Sequence, residues 1–79
     1  MRRLPLMEDI RQILATNLRL ARQGLGMSQE DLASAARIDR TYVSGIERGV
    51  RNPTITVLAR FADALKTTAA ELLTKGAFH

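Results

Sequence analysis

At 79 residues with a formal net charge of +4, the chain has room for one small domain; with no cysteine and a single histidine, His79, it lacks the ligands for a disulfide framework, a thiolate metal site or an all-histidine zinc site. A hydrophobic share of 46% with aromatics at only 4% points to a core of aliphatic side chains and alanine, and β-branched runs long enough for strands are missing, so the expected fold class is all-α. No apolar stretch approaches the roughly 20 residues of a membrane span, and the opening MRRLPLM runs at once into Glu8 and Asp9 rather than into an apolar signal segment; the expected location is the cytoplasm.

In chain order, residues 1–7 read as a basic N-terminal arm that frays, residues 8–76 as the folded domain and residues 77–79 as a tail. A first helix is expected from about Glu8 to Gln23, with Ile10, Ile13, Leu14, Leu18, Ala21 and Leu25 on or near one face and Gly24 and Gly26 ending it. Ser28, followed three residues later by Asp31, caps a second helix from Gln29, whose Leu32, Ala33 and Ala36 form a stripe small enough for another helix to cross closely. Asp39 caps a third, with Val43 and Ile46 turned inward and Arg40, Thr41, Ser44 and Arg48 turned mainly outward. Two short helices joined by a tight turn, the second presenting a polar and basic face, are the layout of a DNA-binding helix-turn-helix.

The loop from Gly49 to Pro53 leads to a fourth helix capped by Thr54, which is expected to bury Ile55, Leu58, Phe61, Ala62 and Leu65. Thr68 and Glu71 have the spacing of a capping box for a fifth helix carrying Leu72 and Leu73 and ending by Gly76.

The basic balance favours an anionic partner, and the placement of charge says more than its sum. Residues 37 to 51 carry four arginines against Asp39 and Glu47, whereas residues 23 to 36 carry Glu30 and Asp31 and no basic residue. Ten of the twelve basic residues are arginine, the better bidentate donor to phosphate and guanine.

Arg22, MSQEDLA at 27 to 33, YVSGIERG at 42 to 49, NPT at 52 to 54 and LARFADAL at 58 to 65 together resemble the lambda-repressor and Cro-like (XRE-type) helix-turn-helix regulators of bacteria and phages. The run DRTYVSGIERGVRNPT at 39 to 54 is most like the controller proteins of restriction-modification systems. The resemblance implies a five-helix domain and a set of DNA-binding positions. Gln29 falls where the family contacts a phosphate at the start of helix two; the plainer alternative is a polar residue that merely begins a helix. Arg40, Thr41, Tyr42 and Ser44 fall on base-reading positions, against the alternative of a solvated face with Tyr42 partly packed in the domain. Arg48, Arg51 and Asn52 resemble the loop that clamps the backbone, or else form a solvated charge run.

Glu47 would repel phosphate if it faced DNA, and the resemblance pairs it structurally with Arg22. Gly45 gives up about 1 kcal/mol of helix propensity relative to alanine; either something approaches it closely or any small residue would do. The chain departs from the family at the turn, where Arg37 stands in place of the usual left-handed glycine.

The function implied is a sequence-specific transcriptional regulator binding a near-palindromic operator as a homodimer, controlling restriction-modification genes including its own. Leu73 and Phe78 are the candidates for the dimer interface, because the fifth helix has few partners expected within one copy. The alternatives are an antitoxin or phage-type repressor of the same fold, and an interaction module that has lost DNA binding. The chain lacks the phosphate-binding glycine loop, metal-ligand cluster and paired nucleophile and base of an enzyme, and no cofactor, metal, small-molecule ligand or membrane partner is expected.

Overall fold

The computed structural model describes residues 6–79. Five helices follow one another: α1 (Leu6–Gly24), α2 (Gln29–Ala36), α3 (Arg40–Glu47), α4 (Ile55–Ala64) and α5 (Ala69–Leu72), with no strand among the described residues. Of the proposed N-terminal arm, residues 1–5 lie outside the described residues, while Leu6 and Met7 already belong to α1.

Each of the last four helices begins where a short oxygen-bearing side chain can take a free backbone N–H. Ser28 accepts from Asp31 N–H while Asp31 accepts from the Ser28 N–H, a reciprocal capping box. Asp39 accepts from Thr41 N–H, Thr54 from Val57 N–H and Thr68 from Glu71 N–H. The box expected at Thr68 is one-sided: the Glu71 carboxylate accepts from the Thr67 hydroxyl instead of closing back on the cap.

α1 to α4 also end alike. In each, an N–H reaches back five residues, as Ile38 N–H does to the Ala33 carbonyl at 2.9 Å, around a residue of positive φ. Glycine fills that place at Gly26 and Gly49, where it is free of the steric penalty. Arg37 (φ 60°, ψ 49°) and Lys66 (φ 59°) fill it after α2 and α4.

The core gathers Leu14, Leu18, Leu32, Val43, Ile46, Leu58, Phe61, Leu65 and Leu72, with Ala21, Ala33, Ala36 and Ala62 letting the helices approach. α2 packs on α3 and α4, α1 on α3 and α5, and α4 on α5. Ile55, expected inside, is 87% exposed: the buried stripe of α4 starts one turn later at Leu58, and the first turn projects past the edge of the core. Leu25 is 48% exposed because α1 stops at Gly24 and the chain leaves the helical stripe before reaching it.

α5 is a single turn that ends at Leu72 rather than near Gly76. Asn17, only 2% exposed on the inner face of α1, donates its amide to the carbonyls of Leu72 (2.9 Å), Thr74 (2.8 Å) and, more distantly, Glu71 (3.4 Å). Carbonyls that would otherwise accept from the next helical turn are thus satisfied from across the domain. Leu73 and Phe78 beyond it are partly buried against the core, so the C-terminal segment has more partners within the chain than expected.

Candidate nucleic-acid interface

α3 is amphipathic over its eight residues. Val43 and Ile46 are fully inside, while Arg40, Thr41 and Arg48 are exposed and Tyr42 and Ser44 half-buried along the outer side. The helix can therefore hold its position through one face and offer the other to a groove.

Its C-terminal end is fixed by charge. Glu47 is buried, and the Arg22 guanidinium from α1 meets it side-on: Nε donates to Oε2 at 2.7 Å and Nη2 to Oε1 at 3.0 Å, with the two side chains 11% and 4% exposed. Arg22 Nη1 also donates to the Met27 carbonyl at 2.8 Å, tying the turn before α2 to the same pair. The hydrogen bond to Glu47 raises the Arg22 pKa beyond its already high ordinary value, against the opposing pull of burial, so the guanidinium stays charged. The one acid of α3 is thereby neutralised and kept off its outer face.

A polar chain leads outward from that pair. Gln29, at the start of α2, donates its amide to Glu47 Oε1 at 3.1 Å, and its carbonyl oxygen accepts from Arg40 Nη1 at 3.4 Å. Gln29 thus bridges the buried ion pair and the first residue of α3.

The loop after α3 folds back over it. The Val50 N–H donates to the Gly45 carbonyl at 3.0 Å, and the Arg51 stem then crosses Gly45 so closely that a Cβ there would lie 3.1 Å from Cδ and 3.2 Å from Cγ. The Arg51 guanidinium lies over the Tyr42 ring, 5.1 Å from its centroid, and the Tyr42 hydroxyl donates to the Asn52 carbonyl at 3.5 Å. Of the two readings of Gly45, close approach is the one present. Arg48 donates from Nε to the Ser44 hydroxyl at 3.3 Å along the outer edge.

The candidate residues accordingly fall into one region: Arg40, Thr41, Tyr42 and Ser44 on α3, Arg48 at its C-terminal cap, Arg51 and Asn52 on the adjoining loop, and Gln29 behind Arg40. Leu73 lines a groove of about 310 Å³ with Ile10, Arg11, Leu14, Pro53 and Leu58, which reaches the proposed interface at Asn52. Two features escaped the sequence reading. Asn17 was signalled only by being a polar residue inside the apolar stripe of Leu14, Leu18 and Ala21, and the Arg51–Tyr42 stack only by the unexplained glycine at position 45. Among the described residues no group of three or more His, Cys, Asp or Glu is placed to hold a metal ion, and no helix is long and apolar enough to cross a membrane.

The helix-turn-helix family matches residues 18–72, which take in the last part of α1 and all of α2 to α5. Control protein C.SmaI of Serratia marcescens is 43% identical over 67 residues, spanning 85% of this chain and 80% of that protein. The crystal structure of the hypothetical transcription factor NHTF from Neisseria superposes with a TM-score of 0.84 at 41% identity, covering 96% of this chain and 87% of that one. The restriction-modification controller protein C.Esp1396I, solved as a tetramer in complex with its natural 35 base-pair operator, superposes with a TM-score of 0.72 at 36% identity over 80% of this chain and 83% of its own. The chain belongs to the lambda-repressor and Cro-like (XRE-type) helix-turn-helix family of DNA-binding transcription regulators, and is of the restriction-modification controller type.

Proposed function

We propose that the protein acts as a homodimer on a near-palindromic operator and controls restriction-modification genes including its own, on cytoplasmic DNA. The observation that carries this reading is the outer face of α3, basic and polar, with its own acid withdrawn into an ion pair. Arg40, Thr41, Tyr42 and Ser44 read base edges in the major groove, an arginine pairing with guanine O6 and N7 and the Thr41 methyl or Tyr42 ring meeting a thymine methyl. Arg48, Arg51 and Asn52 hold the phosphate backbone on one side, and the start of α2 at Gln29 holds it on the other.

A single α3 spans too few base pairs to select one site in a genome, and pairing two copies multiplies that selectivity. C.Esp1396I, on its operator as a tetramer, supports self-association on DNA for a chain this similar. Apolar surface for pairing is available at Ile55 and Val50, 87% and 62% exposed, and at the half-buried Leu73 and Phe78, which remain our proposed interface residues. The two recognition helices would then lie roughly 34 to 36 Å apart, one turn of DNA.

Sedimentation analysis together with a footprint on the DNA upstream of the protein's own gene tests the proposal. The expected result is a dimer at micromolar concentration and a protected site of two-fold symmetry. A strict monomer at tens of micromolar, or protection without symmetry, would contradict it.

A further inference from the structure

The geometry points to Gly45 as a positioning residue for DNA binding: its missing side chain is the slot that lets Arg51 lie across α3 and hold its guanidinium over Tyr42, ready for DNA. This deepens the DNA-binding reading above and rests on it.

Four contacts meet here, the first being the same end-of-helix hydrogen bond that closes α1, α2 and α4. The Gly45 carbonyl accepts from Val50 N–H, which starts the loop back over the helix. The atoms nearest to a Cβ at position 45 would all belong to Arg51, its Cδ, Cγ and Nε lying 3.1, 3.2 and 3.3 Å away, so a side chain here would have to displace the arginine stem. Beyond the slot, the guanidinium settles over the Tyr42 ring, while the Tyr42 hydroxyl donates to the Asn52 carbonyl and draws the loop in. Gly45 has no positive φ, so its backbone gives no reason for glycine. What the glycine provides is space on the side of α3 from which the loop arrives.

An exposed arginine samples many rotamers, and a ligand that needs one of them must order it on binding. With its stem seated against Gly45 and its head stacked on Tyr42, Arg51 meets DNA already ordered. Alanine at position 45 would push the stem outward by a few tenths of an ångström and disturb its seat over Tyr42, yet it is the better helix former. Stability and DNA affinity should therefore move in opposite directions, which a purely structural role for Gly45 does not produce.

The test compares wild type, Gly45→Ala, Arg51→Ala and the double variant. The probes are the duplex that wild-type protein selects from a randomised library and a random duplex of equal length. Gly45→Ala should keep or raise the unfolding midpoint and lose roughly three- to tenfold in affinity for the selected duplex, and the double variant should bind no worse than Arg51→Ala alone. By NMR without DNA, the ring-current shift of the Arg51 δ protons should be present in wild type and reduced in Gly45→Ala, a readout that stands whatever the variant's stability. Wild-type affinity in Gly45→Ala, an equal further loss when the alanine is added to Arg51→Ala, or an unchanged ring-current shift would each overturn the inference. If wild type prefers no duplex over random sequence, the DNA-reading proposal falls as well; if it does and only Gly45→Ala is silent, this inference alone is lost.

Discussion

Asn17 on α1 and Leu72 at the end of α5 are joined by a buried hydrogen bond of 2.9 Å from side-chain amide to backbone carbonyl, and the same amide reaches Thr74 at 2.8 Å. One side chain thus closes the last turn of the domain onto the first helix. Asn17→Ala should destabilise by about 1 to 3 kcal/mol, because it strands buried carbonyls and leaves a small void. Asn17→Leu, which fills the void but still strands the carbonyls, should not recover the loss. Urea unfolding of the two variants decides the matter, and a wild-type midpoint for Asn17→Leu would show that the hydrogen bonds contribute little.

Removing Glu47 leaves the nearly buried Arg22 guanidinium without its anion and Gln29 without its acceptor. Glu47→Ala should therefore lower stability by about 3 kcal/mol, in the range for breaking one side of a buried pair. Glu47→Gln, which keeps the shape and one acceptor oxygen, should fall between the variant and wild type. Chemical denaturation of the three proteins measures it.

Arg37 and Lys66 occupy left-handed positions that glycine fills after α1 and α3. Replacing either by glycine relieves a backbone cost of about 1 kcal/mol, partly offset by the greater freedom of glycine in the unfolded chain. Both variants should be as stable as wild type or slightly more so in thermal unfolding. A clear loss in Arg37→Gly would mean that its side chain contributes more than its backbone costs.

Arg40→Ala should leave the unfolding midpoint unchanged, since the side chain is exposed, and cost about 1 to 3 kcal/mol of discrimination between the selected and random duplexes. Arg48→Ala should weaken both duplexes alike and reduce the slope of affinity against salt by about one. Titrations at several salt concentrations separate the two behaviours.

The Ser28 backbone N–H and hydroxyl hold the Asp31 carboxyl below the ordinary carboxylate range. A depressed folded-state pKa means that the cap's contribution is complete above the unfolded value near 4 and is lost as the pH falls through the folded one. An NMR titration should find the Asp31 midpoint below that of a free aspartate, and Ser28→Ala, which removes the hydroxyl but keeps the backbone N–H that contributes more, should move it only partway back up.

Helix starts were the most legible part of the fold, because Ser28, Asp39, Thr54 and Thr68 announce themselves by chemistry that acts within one turn. Ends were legible where glycine marks them. Arg37 was found by the register of its neighbours, whereas Lys66 has the same conformation with no local sign of it. Ile55 was misplaced because periodicity shows which face is apolar but not where the core stops. Asn17 and the Arg51–Tyr42 stack depend on partners distant in the chain or across a turn, and a spacing pattern carries no information about them.

The eight-residue length of α3 has a consequence for how binding is lost. Helices shorter than about 12 to 15 residues are marginal in water by themselves, so the outer face of α3 exists only while α1 and α2 support it. A peptide cut from residues 40–52 would carry every proposed contact of α3 and its loop and still present no face. Heating should abolish recognition in the same narrow interval that melts the core, which makes the protein's occupancy of DNA a direct thermometer of its folding.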